Sequence, residues 1–276
     1  MSLAASPALA STPPFGAQLR HWRQHRRLSQ QGLAGEADIS TRHLSFVETG
    51  RALPSREMVL RLAQRLDVPL RERNAMLVAA GYAPMYRERP LADPALAPAR
   101  AAVDLILRAH EPNPALAVDR HWNLVAANRM LPHLLAGADA DLLQAPVNVL
   151  RLSLHPRGLA GRIVNLGQWR AHLFERLRQQ VQATGDPRLA ELLAQLQALP
   201  APVDARDARL EGEHLGVALP LQLRAADGRV LSFISTTTVF GTAVDVTVQE
   251  LTLETFFPLD AATAGVLREL AAASGD

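Results

Sequence analysis

The chain has 276 residues, 48% of them hydrophobic, which fits one or two domains at the usual size of roughly 100 to 200 residues and rules out a disordered or collagen-like chain. No apolar run approaches the roughly 18 to 20 residues that cross a bilayer, and the opening Ala, Ser and Pro residues lack the basic flank and apolar centre of a secretory leader; a soluble, cytoplasmic protein without a membrane partner is expected. The absence of cysteine excludes disulfides, thiol nucleophiles and Cys-ligated zinc. All 29 basic residues are arginine, and residues 1 to 90 hold 13 of them against 7 acids, a net of +6, whereas the remainder holds 16 against 20, a net of −4. Such asymmetry suggests a polyanion-binding head on a neutral-to-acidic body.

Residues 1 to 13 show no periodicity and read as a disordered arm. Phe15, Leu19 and Trp22 make the apolar stripe of a first helix, Ser29 caps a short second one with Leu33 inward, and Gly35 to Asp38 supply turn residues. Ser40 caps a third helix, from about Thr41 to Thr49. Ile39 and Leu44 have staple spacing there, and Gly50 suits the left-handed stop. Ser55 opens a fourth helix with Val59, Leu62, Ala63 and Leu66 on one face, and Pro69 opens a fifth that ends near Gly81. Residues 14 to 84 therefore form an all-α, five-helix domain.

A Pro- and Arg-rich linker covers residues 85 to 98, and residues 99 to 270 read as a second, α+β domain. It begins with a helix at Ala99 to Ala109, then two short apolar segments, Ala115 to Asp119 and Asn123 to Ala127, and a helix from Asn128 to Leu135. Leu166, Trp169, Leu173, Leu177 and Val181 mark one amphipathic helix, and Leu189, Leu192, Leu193, Leu196 and Leu199 another. The last third reads as a three-stranded antiparallel meander. Leu215 to Leu223 alternate, Asp227-Gly228 turns, Val230 to Val239 is β-branched, and Val244, Val246 and Val248 alternate before a phase shift to Leu251 and Leu253 that predicts a bulge near Gln249 or Glu250.

Two short helices around a Gly-containing turn, the second capped by a small polar residue, fit helix-turn-helix geometry. With Leu44 and Val47 facing the core, steps of 100° put Arg42 and Phe46 on the opposite side and His43 and Ser45 beside them. Arg42 suits a bidentate contact to guanine or a phosphate contact, and Thr41 and Ser45 can reach bases or phosphates. Phe46 suits either a thymine methyl or partial burial. Residues 28 to 54, LSQQGLAGEADISTRHLSFVETGRALP, resemble the lambda-repressor-like, XRE or Cro/C1-type family. Together with VPLRERNAMLVAAGYAP and HWNLVAANR, the chain resembles bacterial transcriptional regulators with an MmyB-like, PAS-type ligand-binding domain.

That resemblance implies a sequence-specific regulator that binds operator DNA as a nucleoid-associated homodimer and senses a small apolar ligand such as a fatty acid. It implies phosphate contacts from Gln30 and Arg51, DNA-facing positions at Ser40, Thr41, Arg42, His43, Ser45 and Phe46, and a structural ion pair between Arg23 and Glu48. Trp122, Asn128, Trp169, Leu173 and Phe233 are candidate ligand contacts by their position in the domain, with core packing as the alternative for each. No P-loop, nucleophile elbow, kinase signature or dinucleotide fingerprint occurs, so neither an enzyme nor a cofactor is expected. His21 and His25 have helical metal-pair spacing inside an Arg-rich segment that repels cations, and no metal is expected there. His155, between Arg151 and Arg157, reads as an anion contact or a solvated loop. A competing reading gives the second domain a purely dimerising or partner-clamping role, as in antitoxins and adaptors; an enclosed pocket rather than an exposed apolar face separates the two.

Overall fold

A computed structural model of the chain describes residues 13–200, 219–241 and 243–273. The expected arm up to residue 12, and Leu215 and Val217 of the expected strand, lie outside the described residues. Two compact units are present: Met1–Arg89 with Ala243–Val246, and Pro90–Thr242 with Thr247–Asp276.

The first unit is built from α1 (Phe15–His25), α2 (Gln30–Glu36), α3 (Thr41–Glu48), α4 (Arg56–Arg65) and α5 (Leu70–Ala79). Three of the five begin at a serine whose hydroxyl accepts an otherwise unpaired amide: Ser29 from Gly32 at 3.0 Å, Ser40 from His43 at 3.1 Å and Ser55 from Met58 at 3.2 Å. Apolar residues at helical spacing then meet in one core. Leu19, Leu33, Leu44, Leu62, Leu66, Met76 and Leu77 are all fully buried there. The chain leaves α3 through Gly50 at φ +75°, a conformation that costs a residue with a Cβ roughly 1 to 2 kcal/mol.

The second unit is an α+β domain around one five-stranded antiparallel sheet. Its strands are β1 (Ala115–Val118), β2 (Leu124–Ala127), β3 (Leu221–Arg224), β4 (Val230–Val239) and β5 (Thr252–Pro258), in the order β2-β1-β5-β4-β3. The early pair and the late meander are therefore a single sheet, because β1 pairs with β5 (Leu116 opposite Glu254) while β4 flanks β5 on its other side (Thr237 opposite Glu254).

Alternation along each strand gives the sheet two different faces. One carries Ala115, Ala117, Leu251 and Leu253 and is covered by α6 (Ala97–Ala109) through Val103 and Leu107. The other carries Leu116, Leu221, Leu223, Leu231 and Phe233. It is roofed by α7 (Leu131–Leu135), α8 (Val149–Leu154), α9 (Leu166–Thr184) and α10 (Pro187–Gln197). Arg170 of α9 stabilises this roof by donating to the carbonyls of Gln197, Leu199 and Pro200, the otherwise unpaired end of α10.

Two expectations fail in the last third. Val246–Gln249, numbered α11, is a short helix, and β5 starts only at Thr252, with no bulge at Gln249 or Glu250. The reason is the reach of the neighbours: Val118 of β1 and Val239 of β4 both stand opposite Thr252, so earlier residues have no strand to pair with on either side. The sequence reading also omits α12 (Ala261–Ala273), which packs on β4, with the Thr263 hydroxyl accepting from the Ser232 amide at 3.0 Å.

Candidate nucleic-acid interface and ligand cavity

Helix α3 is tied to the head by its inner end. Glu48 is buried, and its carboxylate accepts from Arg23 Nε at 2.6 Å, Arg23 Nη2 at 3.0 Å and Gln30 Nε2 at 2.8 Å, with Arg20 Nε at 3.5 Å. Burial alone would raise the Glu48 carboxyl. The hydrogen bonds from Arg23 and Gln30, with the charges of Arg23 and Arg20, outweigh it and hold the group below its ordinary value. A second device brings α1 onto α3: a Cβ at Gly16 would stand 2.4 Å from the Glu48 carbonyl oxygen, so only glycine allows this approach.

The outer side of α3 is exposed at Thr41 and Arg42 and half-buried at His43, Ser45 and Phe46. Arg42 lies over the Phe46 ring at 5.4 Å, a stacking that limits the sweep of a long, flexible side chain. Ser40 is engaged as the cap and Gln30 as a donor to Glu48, which leaves each with part of its hydrogen-bonding capacity. Apart from the arginines that meet carboxylates, two sets stand out in the head. Arg26, Arg61 and Arg73 donate to the carbonyls of Leu66 and Asp67, of Ala37 and of Val68, and so secure turns. Arg27, Arg42, Arg51, Arg56 and Arg65 make no hydrogen bond or ion pair among the described residues. Arg42, Arg51 and Arg56 cluster in sequence around α3 and the turn that follows it.

In the second unit the sheet and its helical roof enclose an apolar cavity of about 90 Å3. Leucines from β1, β2, β3, α7 and α8 line it together with Trp122, Trp169, Leu173 and Phe256; its polar side chains are Ser153, Ser235, Arg176 and Glu254. Trp169 Nε1 donates to Ser153 at 3.0 Å and Trp122 Nε1 to Gln180 at 2.7 Å, so both indoles are held by their polar edges with their rings toward the cavity. Trp122 has φ +67°, a costly conformation for an aromatic residue. The turn enforces it: the Asp119 carboxylate accepts from the amides of His121 and Asn123, while Asn148 donates to the His121 carbonyl at 2.9 Å. Arg176 stacks over Trp122 at 4.5 Å and donates to Glu254 at 2.5 Å and to Thr237 at 2.8 Å. Burial, then the Arg176 charge, lower the neighbouring His172 below its ordinary value against the opposing charge of Glu254, and so favour its neutral form.

Residues 99–270 match the family described as MmyB-like transcription regulator ligand binding domain, and residues 14–76 match a helix-turn-helix domain. The chain belongs to the MmyB-like transcription regulators. It is a DNA-binding transcriptional regulator with a domain for sensing a small-molecule ligand, and both matched families are regulatory rather than enzymatic. No curated protein matches this regulator. Among solved structures it is similar to an RNA-binding light-oxygen-voltage receptor at 12% identity, over 99% of this chain and 70% of that one, with a TM-score of 0.24, too low to support any comparison. Among the described residues no helix is long and apolar enough to cross a membrane, and no group of His, Asp or Glu side chains is placed to hold a metal.

Of the residues considered for the ligand, the structure brings Trp122, Trp169 and Leu173 to the cavity wall and leaves two away from it. The buried Asn128 carboxamide ties the end of α6 to β1, accepting from the amides of Ala115 and Met130 and donating to the carbonyls of Leu107 and Asn113. Phe233 is fully buried beneath Phe256, edge to face at 6.3 Å. His155 bonds locally, accepting from the Arg157 amide at 3.1 Å, and His21 and His25 stack on each other beside Trp22. Arg176 and Glu254, absent from the sequence reading, are the charged members of the wall. Arg176 follows Trp169 and Leu173 by seven and three residues, which places it on the same helical face, a spacing the sequence does contain.

Proposed function

We propose that this regulator reads operator DNA with the outer side of α3, as a homodimer in the cytoplasm on the nucleoid, and that a small apolar ligand such as a fatty acid in the second domain modulates that binding. On this reading Arg42 contacts a base edge, Thr41, Ser45, His43 and Phe46 complete the groove-facing surface, and Ser40, Gln30 and Arg51 approach the phosphates. The observation that carries it is the contrast along one short helix: its inner residues are fixed by a buried ion pair, while Arg42 on the outside is exposed and makes no hydrogen bond or ion pair among the described residues. A two-fold dimer would place two such helices about one helical turn of DNA apart.

The apolar ligand is supported by the walls of the cavity, since a purely dimerising domain gains nothing from an internal space that forfeits packing contacts. Ligand pockets usually measure about 300 to 1,000 Å3, so a long chain enters only as the flexible leucines of α7 and α8 repack. Mass spectrometry of an organic extract of the purified, heat-denatured protein tests this half directly. A stoichiometric apolar molecule absent from an identically prepared unrelated protein is the expected result. A clean extract, combined with no binding of any added apolar compound, would leave the second domain with a dimerising role.

A further inference from the structure

The chain passes from one unit to the other at Arg89–Pro90 and again on either side of Ala243–Val246, a segment of the β4–β5 connection that belongs to the first unit while both strands belong to the second. Connections normally run through water over a surface, yet Asp245 and Val246 are buried. Their partners include the residues that follow α5. Asp245 stands opposite Arg87 in a parallel bridge, the Val246 amide donates to the Arg87 carbonyl at 2.9 Å, and Arg89 Nη1 lies 3.5 Å from the Asp245 carboxylate. Those residues are in turn bound to α5: the Asn74 carboxamide accepts from the amides of Met85 and Tyr86 and donates to the Tyr86 carbonyl at 2.7 Å, and Arg71 pairs with Glu88 at 2.6 Å. Just past α5, the Tyr82 hydroxyl donates to the carbonyl of Pro54 at 3.0 Å, in the turn that follows α3.

The strands at both ends of the connection line the cavity, β4 with Ser235 and β5 with Glu254 and Phe256. One helical turn, α11, separates Asp245 from Glu250, and the Leu251 amide, donating to the Val248 carbonyl at 3.3 Å, carries that turn toward β5. Glu250 lies 3.7 Å from Arg120, which also faces Asp186 at 3.6 Å, and His121 is hydrogen-bonded to Asp186 at 2.9 Å. The next residue of that turn is Trp122 of the cavity wall, held at its positive φ. Resting on the reading that the cavity holds an apolar ligand, we propose that the β4–β5 connection carries cavity occupancy to the DNA-binding head, with Glu250 as its contact on the cavity side and Asp245 as its latch on the segment after α5. A ligand that displaces Trp122 or Glu254 moves Glu250, and α11 passes that movement to Asp245 as one piece. Two sites are coupled when both bias the arrangement of the same element, and this segment answers to the cavity through Arg120 and to the head through Arg87 and Arg89.

The test uses the full-length protein, octanoate as the probe and a duplex enriched from a random pool. Octanoate is expected to change the affinity for that duplex about fivefold or more, and the duplex to change the affinity for octanoate by the same factor. Asp245→Asn and Glu250→Gln, at the two ends of the connection, should each bind octanoate alone and duplex alone as the parent does, and bring that factor close to one. A factor unchanged in either variant would overturn the proposal, as would a parent that binds octanoate with no effect on the duplex; the apolar-ligand reading survives both results. If neither octanoate nor longer fatty acids bind, that reading fails instead, and hydrogen exchange of the ligand-free protein decides whether the connection links its two ends. Asp245→Asn should then speed exchange at the amides of His121 and Asn123 as well as at Val246, and Glu250→Gln, which is safer for folding, should speed it at Val246. Acceleration confined to the mutated end in both variants would overturn the link.

Discussion

Replacing Gly16 with alanine sets two known effects against each other. Alanine in a helix is favoured over glycine by about 1 kcal/mol, so an isolated α1 would gain. In the folded head the new methyl would stand 2.4 Å from the Glu48 carbonyl oxygen, 2.7 Å from that of Val47 and 2.8 Å from the Glu48 carbonyl carbon. All three are backbone atoms at the end of α3 and cannot swing aside, so α1 and α3 must separate by about 1 Å to restore van der Waals distance. Forced overpacking costs about 1 to 3 kcal/mol. The same movement stretches the 2.6 Å Arg23–Glu48 contact, whose partners are buried and lose more than an exposed pair would. The clash therefore exceeds the helix gain, and the net loss should be about 1 to 3 kcal/mol, several degrees in the melting of a domain this small. Thermal and urea unfolding of the full chain, followed by fluorescence of Trp22 in variants lacking the other two tryptophans, reads it. A Gly16→Ala protein as stable as its parent, or more so, would refute the close approach of α1 to α3.

Three further outcomes follow from the same contacts. Arg42→Ala should cost about 1 to 3 kcal/mol in preference at one base pair, whereas Arg51→Ala should weaken binding to all sequences alike and lower its salt dependence, both measured by titration of labelled duplexes. Glu48 is held below its ordinary carboxyl value in the folded head, so it contributes stability that is present above the unfolded value of 4.5 and lost as pH falls through the lower folded value. Acid unfolding should show that loss below about pH 4.5 in the parent and lack it in Glu48→Gln, which is already destabilised by about 3 to 5 kcal/mol for stranding Arg23. Asn128→Leu should destabilise the second domain by leaving the Ala115 amide and the Leu107 and Asn113 carbonyls without their partner, about 1 to 3 kcal/mol for each group cut off from water. A variant with wild-type stability and altered ligand affinity would instead make Asn128 a ligand contact.

The head was legible in the sequence because its signals are local. Ser29, Ser40 and Ser55 stand where caps must stand, and an apolar residue every three or four positions marks each buried face. What escaped depends on distant chain segments. Gly16 looks like an ordinary weak point of a helix until α3 is laid against it. The valines at 244, 246 and 248 have strand periodicity, yet no strand reaches them because their neighbours end opposite Thr252. Arg176 and Glu254 are 78 residues apart and meet only through the fold. Asn128 shows why position along a domain is a poor guide to its cavity: a side chain with donors and an acceptor is needed where α6 gives way to β1, and that need keeps it off the wall. The exception is α12, which escaped although its signal is local: Asp260 precedes an Ala- and Leu-rich run, and its carboxylate accepts from the Thr263 amide at 2.7 Å.

On the proposed function α3 reads DNA sequence under the influence of a ligand held in the second domain. Selection from a pool of random duplexes by the full-length protein, run in parallel with octanoate present and absent and with Arg42→Ala, tests it most directly. The expected result is an enriched motif of two related half-sites about one helical turn apart. Also expected are loss of preference at one position of each half-site in Arg42→Ala, and a changed yield of the same motif when octanoate is added. Enrichment of no motif, or of one that Arg42→Ala leaves untouched, would contradict the placement of α3; a motif recovered equally with and without every apolar compound that the protein binds would contradict the coupling.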